Sequence, residues 1–172
     1  VGMERLCFLT NPLSSGDMAR ITFSNMPQEI LQKVRDTIML FRKQSEESDD
    51  FSIDDWDVPA VDEYYNTILH NQAMKVMSNL ILLSNEASFS RCPCNDLVPS
   101  LLNIMKDAAC QPQEAYHACR CLGAILQMKY STRDELLRND ALDIFEKTQL
   151  VGKCSHLLLE EESERIINSL IC

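Results

Sequence analysis

The chain has 172 residues and a formal net charge of −10, with 45% hydrophobic residues, eight cysteines, and only four glycines and six prolines. That length suits one domain with a real core, and no apolar run approaches the roughly 18 residues needed to cross a bilayer. A surface this negative repels phosphate backbones and anionic lipid, which argues against nucleic acid and membrane as direct ligands and for a basic protein or peptide.

Low glycine and proline content disfavours a chain of many hairpins and points to helices. "VGMERLCFLT" lacks a basic start followed by an uninterrupted apolar stretch, so it does not read as a secretory signal, and Val1-Gly2 ahead of Met3 reads as a cloning remnant. Without such a signal the cysteines are expected to be reduced thiols in a nuclear or cytoplasmic protein, Cys119 and Cys121 sharing one helix and the others scattered.

In chain order, Leu6, Phe8 and Leu9 form a short apolar segment stopped by Asn11-Pro12, and "LSSGD" is a loop. Pro27 then stands where a first helical residue would sit. Ile30, Leu31, Val34, Ile38 and Phe41 follow at spacings of three and four, which predicts a helix over 27–44. Glu29 near its start and Arg42/Lys43 near its end suit the helix dipole.

No Lys or Arg occurs between Gln44 and Met74. Nine carboxylates fall there: Glu46, Glu47, Asp49, Asp50, Asp54, Asp55, Asp57, Asp62 and Glu63. Like charges at this density disfavour compaction, so 44–59 is expected to be an acidic, mobile insertion in an otherwise single domain of 1–172. Phe51, Ile53 and Trp56 interrupt it, either to pin it to the body or to serve as a docking motif. Ser45, Ser48 and Ser52 among those carboxylates are candidate phosphorylation sites, and phosphate there would deepen the negative charge.

Helical patterning resumes after Pro59. Val61, Tyr65, Ile68 and Leu69 give one apolar stripe, and Ala73, Val76, Met77, Leu80 and Leu83 give the next, as one long helix or two broken near Asn71. Asn95 or Asp96 caps a helix with Val98, Leu101, Leu102 and Met105 inward. Pro112 opens another with Ala115, Ala118, Leu122, Ile125 and Leu126 inward. "TRDELLRNDALDIFEKTQ" supplies a short helix and then a second. "VGKCSHLLLEEESERIINSLIC" is expected to close the chain as one long helix facing inward through Leu158, Ile166, Ile167 and Leu170. No period-2 stretch of convincing length appears, and the fold class is all-α.

Two parts of the sequence recur. "NQAMKVMSNLILLS" (71–84) returns as "QEAYHACRCLGAIL" (113–126), with Ala73 over Ala115 at an offset of 42 and Leu80 over Leu122. "EASFSRCPCNDLVPSLLNIMK" (86–106) lies over "YSTRDELLRNDALDIFEKTQL" (130–150) at an offset of 44, with Leu101 over Phe145. A period in the low forties with about three helices per unit is the range of helical-repeat arrays, in which each unit hides its apolar face only against its neighbour.

The stretch also resembles the armadillo-repeat family. Met77-Ser78-Asn79-Leu80 is similar to the core of that family's third helix, and Leu97-Val98-Pro99-Ser100-Leu101-Leu102 is similar to its second, over roughly 71–150. The resemblance implies an armadillo-like α-solenoid of about three to four units, counting degenerate caps. It implies a non-enzymatic scaffold or adaptor that receives a partner's helix or extended peptide, basic or amphipathic, in a groove of stacked helices. It places Asn79 on that groove, flanked by Lys75 and Leu82, with His117 and Cys121 at the matching positions of the next repeat. Trp56 joins these as the acidic segment's candidate docking residue. The tryptophan that nuclear-import members carry one turn earlier is Lys75 here, and the next repeat's asparagine is Cys121, so an array of such clamps is absent. Self-association through an exposed repeat end is a second route.

The competing reading is a zinc-stabilised module using His117 and Cys121 with Cys92 and Cys94. Cys119 and Cys121 cannot easily share one ion because i, i+2 residues on a helix point apart. With no C-x-x-C pair, no metal or other cofactor is expected. No G-x-S-x-G, Gly-rich phosphate loop or H-E-x-x-H occurs, and His70, His117 and His156 lack a nucleophile-and-carboxylate context, so no catalytic residues are assigned.

Overall fold

A computed structural model describes residues 2–11, 28–47, 60–84, 96–128 and 131–172. Eight helices and no strand occur among the described residues: α1 (Gly2–Thr10), α2 (Gln28–Glu47), α3 (Ala60–Leu83), α4 (Leu97–Lys106), α5 (Pro112–Met128), α6 (Ser131–Arg138), α7 (Ala141–Ser155) and α8 (Leu157–Ile171). The segment at 48–59, with Phe51, Ile53 and Trp56, lies outside the described residues, as do Cys92 and Cys94.

In α2, Leu31, Val34 and Ile38 are buried, as their spacing requires, and the helix continues three residues past Gln44 into the acidic run. Helix α3 is a single element through Asn71, because no proline or glycine interrupts its hydrogen-bond ladder. Its two halves differ. Ala73, Met74, Val76, Met77, Leu80 and Ile81 are wholly buried, whereas Tyr65, Ile68 and Leu69 of the predicted first stripe are exposed. Periodicity shows that those residues share a side of the helix; it does not show that the side is covered. In α1 the buried residues are Cys7 and Thr10, with Phe8 and Leu9 outward.

The other departure is at the C-terminal end. The helix expected over 151–172 is interrupted at His156, whose backbone is extended (φ −157°, ψ 92°). Val151–Ser155 therefore ends α7, and α8 begins afresh with the His156 imidazole accepting from the Leu159 N–H as its cap. The break resets the helical phase. Leu158, expected inward, is about half exposed, and Leu159, Ser163, Ile166 and Leu170 form the buried stripe.

Packing joins these elements into two interlocked series. Helix α5 packs against α3 and against α8, and α1 packs against α3; α4 packs against α2, α5 and α7, and α7 against α8. Ala73 and Ala115, paired by the 42-residue offset, are both wholly buried on adjoining helices, as are Leu80 and Leu122. Leu101 and Phe145, paired by the 44-residue offset, are wholly buried on α4 and α7, which also touch. A third member of the series appears in the structure: Leu159 and Ile166 stand 44 residues after Ala115 and Leu122, on α8, and are buried too.

One close approach fixes the α7–α8 corner. A β-carbon at Gly152 would stand 2.5 Å from the Glu160 backbone nitrogen and 2.8 Å from its Cα, so only glycine lets the two helices meet there.

Candidate functional site

The residues singled out by the sequence gather around α5, but with different surroundings from those expected. Asn79 is buried, and both ends of its carboxamide are engaged. Arg120 Nη2 donates to its Oδ1 at 2.8 Å, and its Nδ2 donates to Thr10 Oγ1 in a long bond of 3.4 Å. One side chain on α3 thus ties α1 to α5. Lys75 is half-buried and Leu82 is 43% exposed, so of the α3 residues assigned to a groove these two reach solvent.

His117 and Cys121 sit on α5 at the matching positions, and both are buried. The Cys121 thiol donates to the Met74 carbonyl at 2.9 Å, across the α3–α5 contact. His117 Nε2 instead meets Gln113 Nε2 on its own helix at 2.9 Å. The two side chains are committed to different partners. Among the described residues no group of three or more His, Cys, Asp or Glu is placed to hold a metal ion. Burial pushes the thiols of Cys119 and Cys121 up to about 12 each, so both are protonated at neutral pH and are poor nucleophiles.

Five residues that sequence reasoning did not select complete the arrangement. His70 of α3 pairs with Glu114 of α5. His156, at the α7–α8 junction, meets Gln113 Oε1 through Nε2 at 2.9 Å and stacks on Tyr116 with ring centroids 5.1 Å apart. All three histidines of the chain therefore converge on the first two turns of α5. A partial signal existed: Gln113 and His117 stand at i, i+4, and Gln113 to His156 spans 43 residues, the repeat period itself.

Toward α3, then, α5 presents Glu114, Arg120 and Cys121; toward α8 and the α7–α8 junction it presents Gln113, Tyr116 and Cys119, the last 3.7 Å from Ser163 Oγ. No protein-family model, curated protein or solved structure matches the chain.

Two clefts lie on either side of this core. One of about 410 Å³ runs between α4 and α7 over Met105, Ala108, Ala109, Ile144 and Val151. The other, about 180 Å³, lies where α5, α6 and α8 meet, with Arg133 and Arg165 on its wall. The Arg133 guanidinium donates to the Leu170 carbonyl near the end of α8, and Arg165 is paired with Glu162, so both cations have structural partners. Across these contacts side chains tie helices together, and the Cys119 and Cys121 thiols are buried.

Proposed function

We propose that the chain is an armadillo-like α-solenoid that works by holding a segment of another protein. The observation that carries this reading is the series α3, α5, α8. Three helices at the same 42–44-residue spacing lie next to one another, each burying equivalent residues on its neighbour. The series α2, α4, α7 backs them in the same order. The partner segment is a basic or amphipathic helix or peptide, chosen by the net charge of −10. Its seat is the side of α3 and α5 around Lys75 and Leu82, the former groove candidates that reach solvent. Asn79 supports that side from beneath through Arg120 instead of touching the partner. Self-association through an exposed repeat end is the secondary route. The free thiols of the described cysteines fit an intracellular location, and no helix among the described residues is long and apolar enough to cross a membrane.

The test is a titration with fluorescent amphipathic helical peptides, one basic set and one acidic, against the wild type, Leu82→Asp and Leu150→Asp. Leu150 is exposed on α7, in the backing series. The basic set is expected to bind, with affinity at least about tenfold weaker in Leu82→Asp, corresponding to roughly 1.4 kcal/mol. Leu150→Asp should bind as wild type does. Loss of binding only in Leu150→Asp, with both variants still helical by circular dichroism, would move the site to the opposite side.

A further inference from the structure

The hydrogen bonds linking α5 to the α7–α8 junction form a chain with one permitted direction. The Leu159 N–H is shared between the His156 carbonyl at 2.9 Å and His156 Nδ1 at 3.2 Å, so that nitrogen must carry a lone pair. In a neutral imidazole the proton then resides on Nε2, which donates to Gln113 Oε1. That fixes the amide, whose NH₂ donates to His117 Nε2. His117 accordingly carries its proton on Nδ1, a buried atom with no hydrogen-bond partner among the described residues. The opposite orientation of Gln113 is excluded, because His156 would then need to accept at both nitrogens.

Such a chain has no place for an added proton. On His156 it would occupy Nδ1 and set one donor against the Leu159 N–H, at the positive end of the α8 dipole. On His117 it would occupy Nε2 and set a donor against the Gln113 NH₂. Turning the amide over only moves that conflict to His156 Nε2. We propose that this relay is an acid-released latch, which holds the start of α8 on α5 at neutral pH and lets it go when an imidazole is protonated.

The charged surroundings favour release over accommodation. His117 is faced by Lys75 from α3, by Arg120 and Glu114 on its own helix, and by His156. Burial first, then Lys75, Arg120 and His156, hold its pKa down at about 4, with Glu114 opposing. Glu114 is itself engaged by His70. His156 is faced from α5 by the Tyr116 ring and by His117, and its own two helices place Lys153 and Glu160 within four residues of it. Among the described residues no carboxylate bonds to either relay imidazole to compensate a new charge.

Hydrogen exchange of the Leu159 and Glu160 amides, corrected for intrinsic rate, reads the latch from neutral pH down to about pH 4, the value to which burial lowers His117. In the wild type, protection of these two amides should fall about fivefold further than protection within α4, the fold-change matching a lost helix cap. The comparison is His156→Asn, which can accept from Leu159 N–H but cannot titrate; its α8 protection should fall no further than α4. Equal pH dependence in the two proteins would overturn the latch. If His156→Asn does not fold, ¹⁵N shifts of the wild-type imidazoles decide. The latch requires His156 protonated on Nε2 and His117 on Nδ1 at neutral pH, with the Leu159 amide resonance shifting as the pH is lowered to about 4. The reverse tautomers, or an unmoved Leu159 amide, would refute it.

Discussion

The α3–α5 and α5–α8 contacts stand at nearly the same repeat spacing, yet different means close them. Between α3 and α5 the seam is sewn by polar side chains inside an apolar surround: His70 with Glu114, Arg120 with Asn79, and the Cys121 thiol with the Met74 carbonyl. The α5–α8 seam, with the α7–α8 corner that feeds it, has the Gln113–His156 relay at its start and relies beyond it on small residues and close backbones: Gly152 against Glu160, Gly123 under Arg165, Ser163 against Cys119. Residue size and polarity fix how each pair of helices is joined. The first seam is therefore sensitive to removing a partner and the second to adding an atom.

The sharpest way to break the comparison is an alanine at each glycine. At Gly152 the new β-carbon meets backbone, which cannot swing aside, so α7 and α8 must separate. Overpacking of that kind costs about 3 kcal/mol, and the helix propensity gained, about 1 kcal/mol, offsets part of it. The net loss of about 2 kcal/mol should appear as a lower urea midpoint with unchanged slope. At Gly123 the β-carbon would meet the Arg165 Nη2 and Glu162 Oε1 atoms, the tips of flexible side chains. Gly123→Ala should stay within about 1 kcal/mol of wild type, since the tips can move and the propensity gain remains. If both variants lose equally, the corner is not held by backbone contact.

Next in size is a pair of arginine substitutions. Arg120→Leu removes the donor to a buried carbonyl oxygen on Asn79 and should cost about 1–2 kcal/mol, the penalty of an orphaned acceptor. Arg165→Leu breaks a pair in which the arginine side chain is 42% exposed and screened by water, so it should cost less than about 1 kcal/mol. Both are read by chemical denaturation. A larger loss at Arg165 would mean that the second seam also depends on charge.

Much of this architecture was legible in the sequence, for a definite reason. Spacings of three and four residues report which side of a helix is apolar, and the 42- and 44-residue offsets report which helices are equivalent. Leu31, Val34 and Ile38, the inward residues of α4, and Ala115, Ala118, Leu122 and Ile125 were all placed correctly because burial and periodicity coincide there. Two things were not legible. Tyr65, Ile68 and Leu69 share a stripe that the described structure leaves exposed, since a pattern of residues says nothing about what covers it. The break at His156 was hidden because no proline marks it; the imidazole caps α8 through a ring nitrogen, a role that leaves no spacing signature. The candidate site was read less well. A buried asparagine and a groove asparagine look identical in sequence, and only the positions of Thr10 and Arg120 distinguish them.

The smallest energetic effect concerns the cysteines, which sharpen the comparison without disturbing it. Cys121 belongs to the first seam and Cys119 to the second, and burial raises both thiols to about 12. The thiolate is the species that alkylates, so at about pH 8 both should be nearly inert in the folded protein. Cys110, Cys154 and Cys172 are exposed and should react readily with iodoacetamide, as peptide mapping by mass spectrometry would show. The two buried thiols should become reactive only when their own seam opens. Under mild denaturant the order in which they label therefore reports which seam yields first. In Gly152→Ala, Cys119 should label ahead of Cys121, because the strain lies on the α8 side; labelling of Cys121 first would place the weaker seam between α3 and α5.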